Sequence, residues 1–162
     1  MRRRSRPSGP AGSVVIALRA VEVEVLAGLM DELDLLADDP PAGDPVTERL
    51  SPPGYDDETA AREFSELTRS TLQRERRDRY EQCRAQLPTG GGELTIAADQ
   101  MQGWLIVLND MRLALGTRLG VTAEGFDEPA DGSVPADDVQ AARIAYQWLT
   151  AVQDQLITSV LP

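Results

Sequence analysis

The chain has 162 residues and 41% apolar side chains, enough to bury a core, and carries a net charge of −11. There is no histidine, and all sixteen basic residues are arginine, so Ser-His-Asp and Cys-His catalysis, histidine metal sites, a phosphate-loop lysine and a Schiff-base lysine are all excluded. Cys83 is the only cysteine, which rules out an internal disulfide, and acids are so abundant that no pair of carboxylates stands out as catalytic. The expectation is a protein with no catalytic residue, cofactor or metal.

Residues 1–12 form a basic arm rich in Pro, Gly and Ser, with four arginines in the first six positions, and read as disordered. The arm is either a solvated tail or an electrostatic tether for nucleic acid or an acidic partner. Its apolar continuation is too short for a signal peptide, and no apolar run approaches a membrane span, so the expected location is the cytoplasm, away from any membrane. The remainder, 13–162, reads as one helical domain. SVVIAL at 13–18 predicts a strand. From 20 to 37, apolar residues at 21, 25, 29, 33 and 36 predict an amphipathic helix. Five prolines and no periodicity make 38–57 a loop, with Val46, Leu50 and Tyr55 as candidate anchors.

A long helix is predicted over 58–87, but its apolar face does not run through. Phe64 and Leu67 share a side that continues as Glu75, Asp78 and Gln82, whereas Tyr80, Cys83 and Leu87 lie nearly opposite. Either the helix breaks near 72–75 or its second half packs against something different. Arg69, Arg76, Arg77, Arg79 and Arg84 fall with Arg62 within an arc of roughly 160°. That arc is either a solvated, ion-paired face or a face for a partner or nucleic acid. Cys83 sits in the Tyr80–Cys83–Leu87 triplet, the spacing of a buried small hydrophobe. A reactive thiol, its pKa lowered by Arg79 and Arg84, is the alternative.

PTGGG is a turn, because GGG lacks the GK[ST] that would make it a phosphate loop. ELTI at 93–96 is a second strand. Strand followed directly by helix thus occurs twice, and the economical arrangement is a two-stranded ribbon joining the starts of two packed helices. The second of those helices, about 97–119, is the expected centre of the fold. At about 100° per residue, Trp104, Leu115, Leu108, Met101, Leu119, Leu105, Met111 and Val107 share one broad arc. Gly120 followed by Val121 suits a left-handed cap, and Gly116 suits close approach of another backbone.

Arg112 lies angularly inside that arc, so an acid from another element is expected to meet it, Glu22 and Glu63 being candidates. Several carbonyls, a snorkelling side chain, a ligand or a partner protein are the alternatives. Asn109, Asp110 and Thr117 read as polar seams between packed helices. An acidic loop follows at 122–138, and a last helix at 139–161 carries Ala142, Ala145, Leu149, Val152, Leu156 and Val160 on its core side. The fold class is therefore mainly α, a compact bundle of about four to five helices around a central buried helix, with a small two-stranded β ribbon.

The phrase WLIVLNDMRLALGTRLGV, preceded by EFSELTR and GGGELTI and followed by YQWLTAVQDQL, resembles an actinobacterial family of AosR-type oxidative-stress transcriptional regulators, formerly catalogued as a domain of unknown function. The resemblance covers most of the chain and is most specific over LNDMRLALGTRLGV. It implies a cytoplasmic, non-enzymatic regulator that responds to oxidation and acts on transcription through a protein partner, a sigma factor or the transcription machinery. The family motif falls on Trp104, Leu108, Asn109, Asp110, Arg112, Leu113, Leu115, Gly116, Thr117, Arg118 and Gly120, which by geometry are core and capping positions rather than a sensor. A switch made of an intramolecular disulfide needs two cysteines, and here there is one.

Two functions from different classes stay open. One is a transcriptional regulator acting on or near DNA, with the arm and the arginine-rich half-helix in its favour. The other is a protein–protein interaction or adaptor module without DNA contact, which suits a pI near 4.4. The sequence leaves oligomeric state open.

Overall fold

The computed structural model describes residues 12–51, 58–126 and 135–160. Most of the arm, with Tyr55 and the middle of the acidic loop, lies outside them. The described residues form a mainly α protein with five helices and a two-stranded antiparallel ribbon.

Strand β1, Val14–Leu18, pairs with β2, Gly92–Ile96, so that Val14 faces Ile96 and Ile16 faces Leu94. Period-two alternation turns Val14, Ile16, Leu18, Leu94 and Ile96 to one buried face against the helices. Each strand runs straight into a helix: β1 into α1, Ala20–Asp38, and β2 through a 3₁₀ turn at Ala98–Gln100 into α4, Met101–Arg118. The ribbon therefore joins these two helices, as the sequence suggested, but being antiparallel it sets their starts at its opposite ends, α1 leaving from the Leu18–Gly92 end and α4 from the Val14–Ile96 end. Gly91 makes the junction possible. Its φ is +99°, and a Cβ there would lie 2.8 Å from the Ala20 nitrogen and 3.1 Å from the Leu18 carbonyl oxygen.

α1 starts with Glu22 accepting the Arg19 backbone N–H at 2.7 Å, which satisfies an otherwise orphaned donor. Its buried side is Glu22, Leu26, Met30, Leu33 and Ala37, one position round from the expected stripe at 21, 25, 29, 33 and 36. Val21 is accordingly half exposed. The helix is apolar over a wide arc, and the ribbon and α4 select which part of that arc is covered.

Segment 38–57 is not wholly irregular, contrary to expectation: α2 spans Pro45–Leu50. Asp44 caps it, accepting both the Thr47 N–H and the Thr47 hydroxyl at 2.8 Å, and Pro45 supplies a helical φ at the first position. Val46 is buried and Leu50 half-buried, so both act as anchors.

α3 is continuous over Glu58–Ala85. Its second half packs through Gln73, Arg76, Tyr80 and Cys83, spaced by three and four, with Leu87 just beyond its end on the same side, while Glu75, Asp78 and Gln82 face solvent. The face thus changes along an unbroken helix because the later turns meet α1 and α4.

α4 is the central element, with nine buried residues. It ends as expected, with Gly120 at φ +63°. The Val121 N–H reaches the Gly116 carbonyl at 2.8 Å, and the Gly120 N–H reaches that of Thr117 at 3.3 Å. Gly116 meets a ring rather than another backbone: a Cβ would lie 3.1 Å from Cε2 of Tyr146. α5, Asp137–Val160, packs chiefly on α4 and buries Leu149, Val152 and Leu156, with Ala142 and Ala145 half-buried beside them.

Candidate functional site

Three arginines of the second half of α3, Arg76, Arg77 and Arg84, are engaged by the rest of the chain, whereas Arg74 on the same half is exposed. Arg76 donates to the Leu50 carbonyl at 2.9 Å and to Ser51 Oγ at 3.4 Å, and its Nε stands 3.9 Å from Asp110. Arg77 pairs with Asp38, and Arg84 bridges Asp31 and Asp34 at 2.9 Å each. Arg118, from the end of α4, pairs with Glu32. Acids of α1 thus take up three of the four arginines, and the end of α2 together with Asp110 takes up the fourth. Arg69 lies on α3, but its side chain falls outside the described residues.

The buried charge of α4 is Asp110 rather than Arg112. Asp110 is buried and accepts the Tyr80 hydroxyl at 2.8 Å. Burial pushes its carboxyl above the usual 3.8, against the lowering effects of the Tyr80 hydrogen bond, Arg76 and Arg79. Tyr80, itself fully buried beside this acid, is raised likewise.

Arg112 is half-buried, and the expected acid partner is not what meets it. Its Nε donates to Thr150 Oγ1 at 3.0 Å, a terminal nitrogen donates to Gln153 Oε1, and the guanidinium lies 5.6 Å from the centroid of the Tyr146 ring. Glu22 is taken up with Arg19, and Glu63 is exposed. The physical reason is a rotation of the buried arc. It runs from Asp110 through Ala114, Val107, Met111, Trp104 and Leu115 to Leu108, which leaves Arg112 at its edge, where α5 offers neutral oxygens. Asn109, expected in a polar seam, is exposed for the same reason, and the Thr117 hydroxyl returns to the Leu113 carbonyl at 2.7 Å. Arg112→Ala should therefore cost about 1–2 kcal/mol in urea denaturation, the loss of ordinary hydrogen bonds. A cost of about 4 kcal/mol would reveal an acid left unpaired.

Cys83 is buried, and desolvation pushes its thiol up to about 11 against the opposing pull of Arg79. It borders a cleft of about 510 Å³ between α3 and the start of α4, lined also by Arg79, Gln82, Gln86, Asp99 and Gln100. Gln86 is held in place by accepting the Trp104 indole N–H at 2.9 Å. With so little thiolate at pH 7, labelling of the folded protein by a thiol reagent should run at least about 100-fold slower than in urea. Comparable rates would show Cys83 open and ionised. Among the described residues, no group of acids and cysteine has the geometry of a metal site, and no helix is long and apolar enough to cross a membrane.

The Tyr80–Asp110 contact was missed from sequence. Its only signal was a lone acid in the middle of an apolar helix, which the angular pattern set on a flank.

The chain is 32% identical over 130 residues to proteins named "Oxidative stress regulator AosR" from Mycobacterium tuberculosis and Mycobacterium bovis, covering 71% of this chain and 57% of theirs. A "Putative oxidative stress regulator AosR" from Mycobacterium leprae is 34% identical over 76 residues, 46% of this chain and 33% of that one. This chain thus spans little more than half the length of the curated relatives it matches. No solved structure matches it. The model of the family described as "Domain of unknown function (DUF2017)" matches residues 1–160, from the arm through the ribbon and the central helix to the end of α5, and to that family the chain belongs.

Proposed function

We propose that this protein is a non-enzymatic regulator of the oxidative-stress response that acts through a protein partner, a component of the transcription machinery such as a sigma factor, without contacting DNA itself. The observation that carries this reading is the way the arginines are used. Arg76, Arg77, Arg84 and Arg118 are turned to oxygens of the same chain, and the molecule as a whole carries −11. A DNA-binding face needs arginines available to replace condensed counterions on phosphates. The relatives' printed name supports the physiological setting.

Two measurements test it. Titration of labelled duplex DNA at about 50 mM salt should give no saturable binding, whereas a steep fall of affinity with salt would show phosphate contacts. That outcome would favour the second reading, in which the four arginines of the arm supply the DNA contact. Affinity capture from oxidant-treated and untreated cells should recover a transcription component whose yield depends on treatment. Equal recovery of such a component would remove oxidation from the interaction, and recovery of none would remove the partner.

A further inference from the structure

Arg79 stands apart from the other half-buried arginines. Arg76, Arg84 and Arg112 are held by oxygens of the chain and Arg143 stacks on Phe126. Among the described residues Arg79 makes no hydrogen bond or ion pair, although it is half-buried too. Partial desolvation of an unpartnered guanidinium is unfavourable, and an anion from outside relieves it. Arg79 lines the cleft of about 510 Å³ between α3 and the start of α4, a size within the roughly 300–1,000 Å³ of small-molecule sites. Asp99 lines the same cleft from its exposed rim, and the two opposite charges do not pair with each other. Amides complete the lining. Gln86 is fixed from two sides: its Oε1 accepts the Trp104 indole N–H at 2.9 Å, and its Nε2 donates to the Gln82 carbonyl at 3.2 Å. Gln100 uses its Oε1 to accept the Ala97 N–H at 3.3 Å, which leaves its amide nitrogen for other acceptors. Gly103 keeps the space open. The nearest atom that a Cβ there would meet is Cγ of Arg79 at 3.9 Å, an ordinary contact, so packing does not require glycine inside this helix, where it is otherwise disfavoured.

We propose that this cleft binds a small zwitterion, a free amino acid or a dipeptide, with its carboxylate on Arg79 and its ammonium group facing Asp99. Charge decides the class. The lining carries one cation and one anion and is otherwise neutral, so its complement carries one charge of each sign. A phosphate would meet a single guanidinium together with a carboxylate that repels it. A carboxylate, by contrast, matches the planar fork of donors that one arginine presents. Burial sets the direction of entry. Arg79 is half-buried and Asp99 exposed, so the carboxylate goes in first and the ammonium group stays at the mouth. Gln86 and Gln100 supply neutral donors and acceptors for the rest of the ligand, a side chain in an amino acid or the peptide group in a dipeptide.

The test is an NMR titration of the intact, isotopically labelled protein with each common L-amino acid and with glycylglycine. At least one probe should shift the Arg79 Nε–H and the Gln86 and Gln100 side-chain amide signals saturably, with a dissociation constant of about 1 mM or below. The tighter of the two kinds of probe identifies the source, free amino acid or dipeptide. Converting the probe's carboxylate to an amide should weaken binding about tenfold or more, and acetylating its amine about threefold or more, the smaller effect belonging to the charge at the exposed rim. Arg79→Gln should weaken the unmodified probe about tenfold or more with an unchanged circular dichroism spectrum, because this side chain holds no other group of the described chain. Asp99→Asn, at an exposed position, should weaken the unmodified probe but not its N-acetyl form. No saturable shift with any probe up to about 20 mM would overturn the proposal, as would binding indifferent to Arg79→Gln. Inorganic phosphate bound more tightly than every zwitterion, or an N-acetyl form bound as tightly as its parent, would overturn the class of ligand.

Discussion

Trp104→Ala should lower the stability of the protein by about 3–5 kcal/mol, read as a shift of the urea midpoint at constant slope. The indole is 1% exposed, at the start of the central helix and within the core cluster. Truncation removes the largest fully buried side chain and leaves a cavity that the ribbon and α3 cannot both relax to fill. It also removes the donor that Gln86 receives at 2.9 Å. Trp104→Phe should recover most of the loss, because the ring volume is largely kept and Gln86, near the cleft, can turn to water. The chain's other tryptophan, Trp148, still reports unfolding by fluorescence in both variants. A Trp104→Ala cost below about 1 kcal/mol would mean that the site is hydrated rather than packed.

The second large effect concerns Arg76 and the acid it faces. Arg76→Ala should cost about 3 kcal/mol or more, since the Asp110 carboxylate then stays buried without its cation and the Leu50 carbonyl loses its donor. The pH dependence has a definite sign. Burial raises the Asp110 carboxyl above 3.8 in the folded protein, so the folded state holds a proton that the unfolded chain has already released. The stabilisation from that proton is fully present below 3.8 and is lost as pH rises through the raised folded value. In Asp110→Asn the side chain still accepts from Tyr80 but no longer titrates. Wild-type stability relative to Asp110→Asn should therefore fall from pH 4 to pH 8, and Arg76→Ala should carry the fall to higher pH. A difference that rises over this interval would contradict the direction of the shift.

The ribbon, the bounds of α1 and α4, and the cap at Gly120 were legible because each depends on local chemistry: alternation, helical period, and a residue able to take φ above zero. Arg112 and Asp110 were not legible in the same way. Apolar spacing locates an arc on a helix only to within about one residue's rotation, roughly 100°, and the two residues stand at opposite edges of it. Which edge is covered is decided by α3 and α5, whose approach no local pattern encodes. α2 was hidden by its own brevity, since six residues beside prolines show no period, although Asp44-Pro45 and Thr47 carry a cap signature. The roles of the arginines on α3 were legible only as alternatives, because their partners on α1 lie some forty to fifty residues away in sequence.

The direct passage from strand to helix also governs the order in which the molecule can form. β1 is made early, but its partner β2 follows only after α1, α2 and the whole of α3 have been synthesised. Throughout that interval Val14, Ile16 and Leu18 belong to a strand with neither edge paired. Closing the ribbon then means closing the loop from Leu18 to Gly92, whose entropic cost is offset only once α1 and α3 have packed together. The pairing of α4 with α5 spans a shorter stretch of chain. The ribbon is therefore a late event in folding, and destabilising it should accelerate unfolding more than it slows refolding.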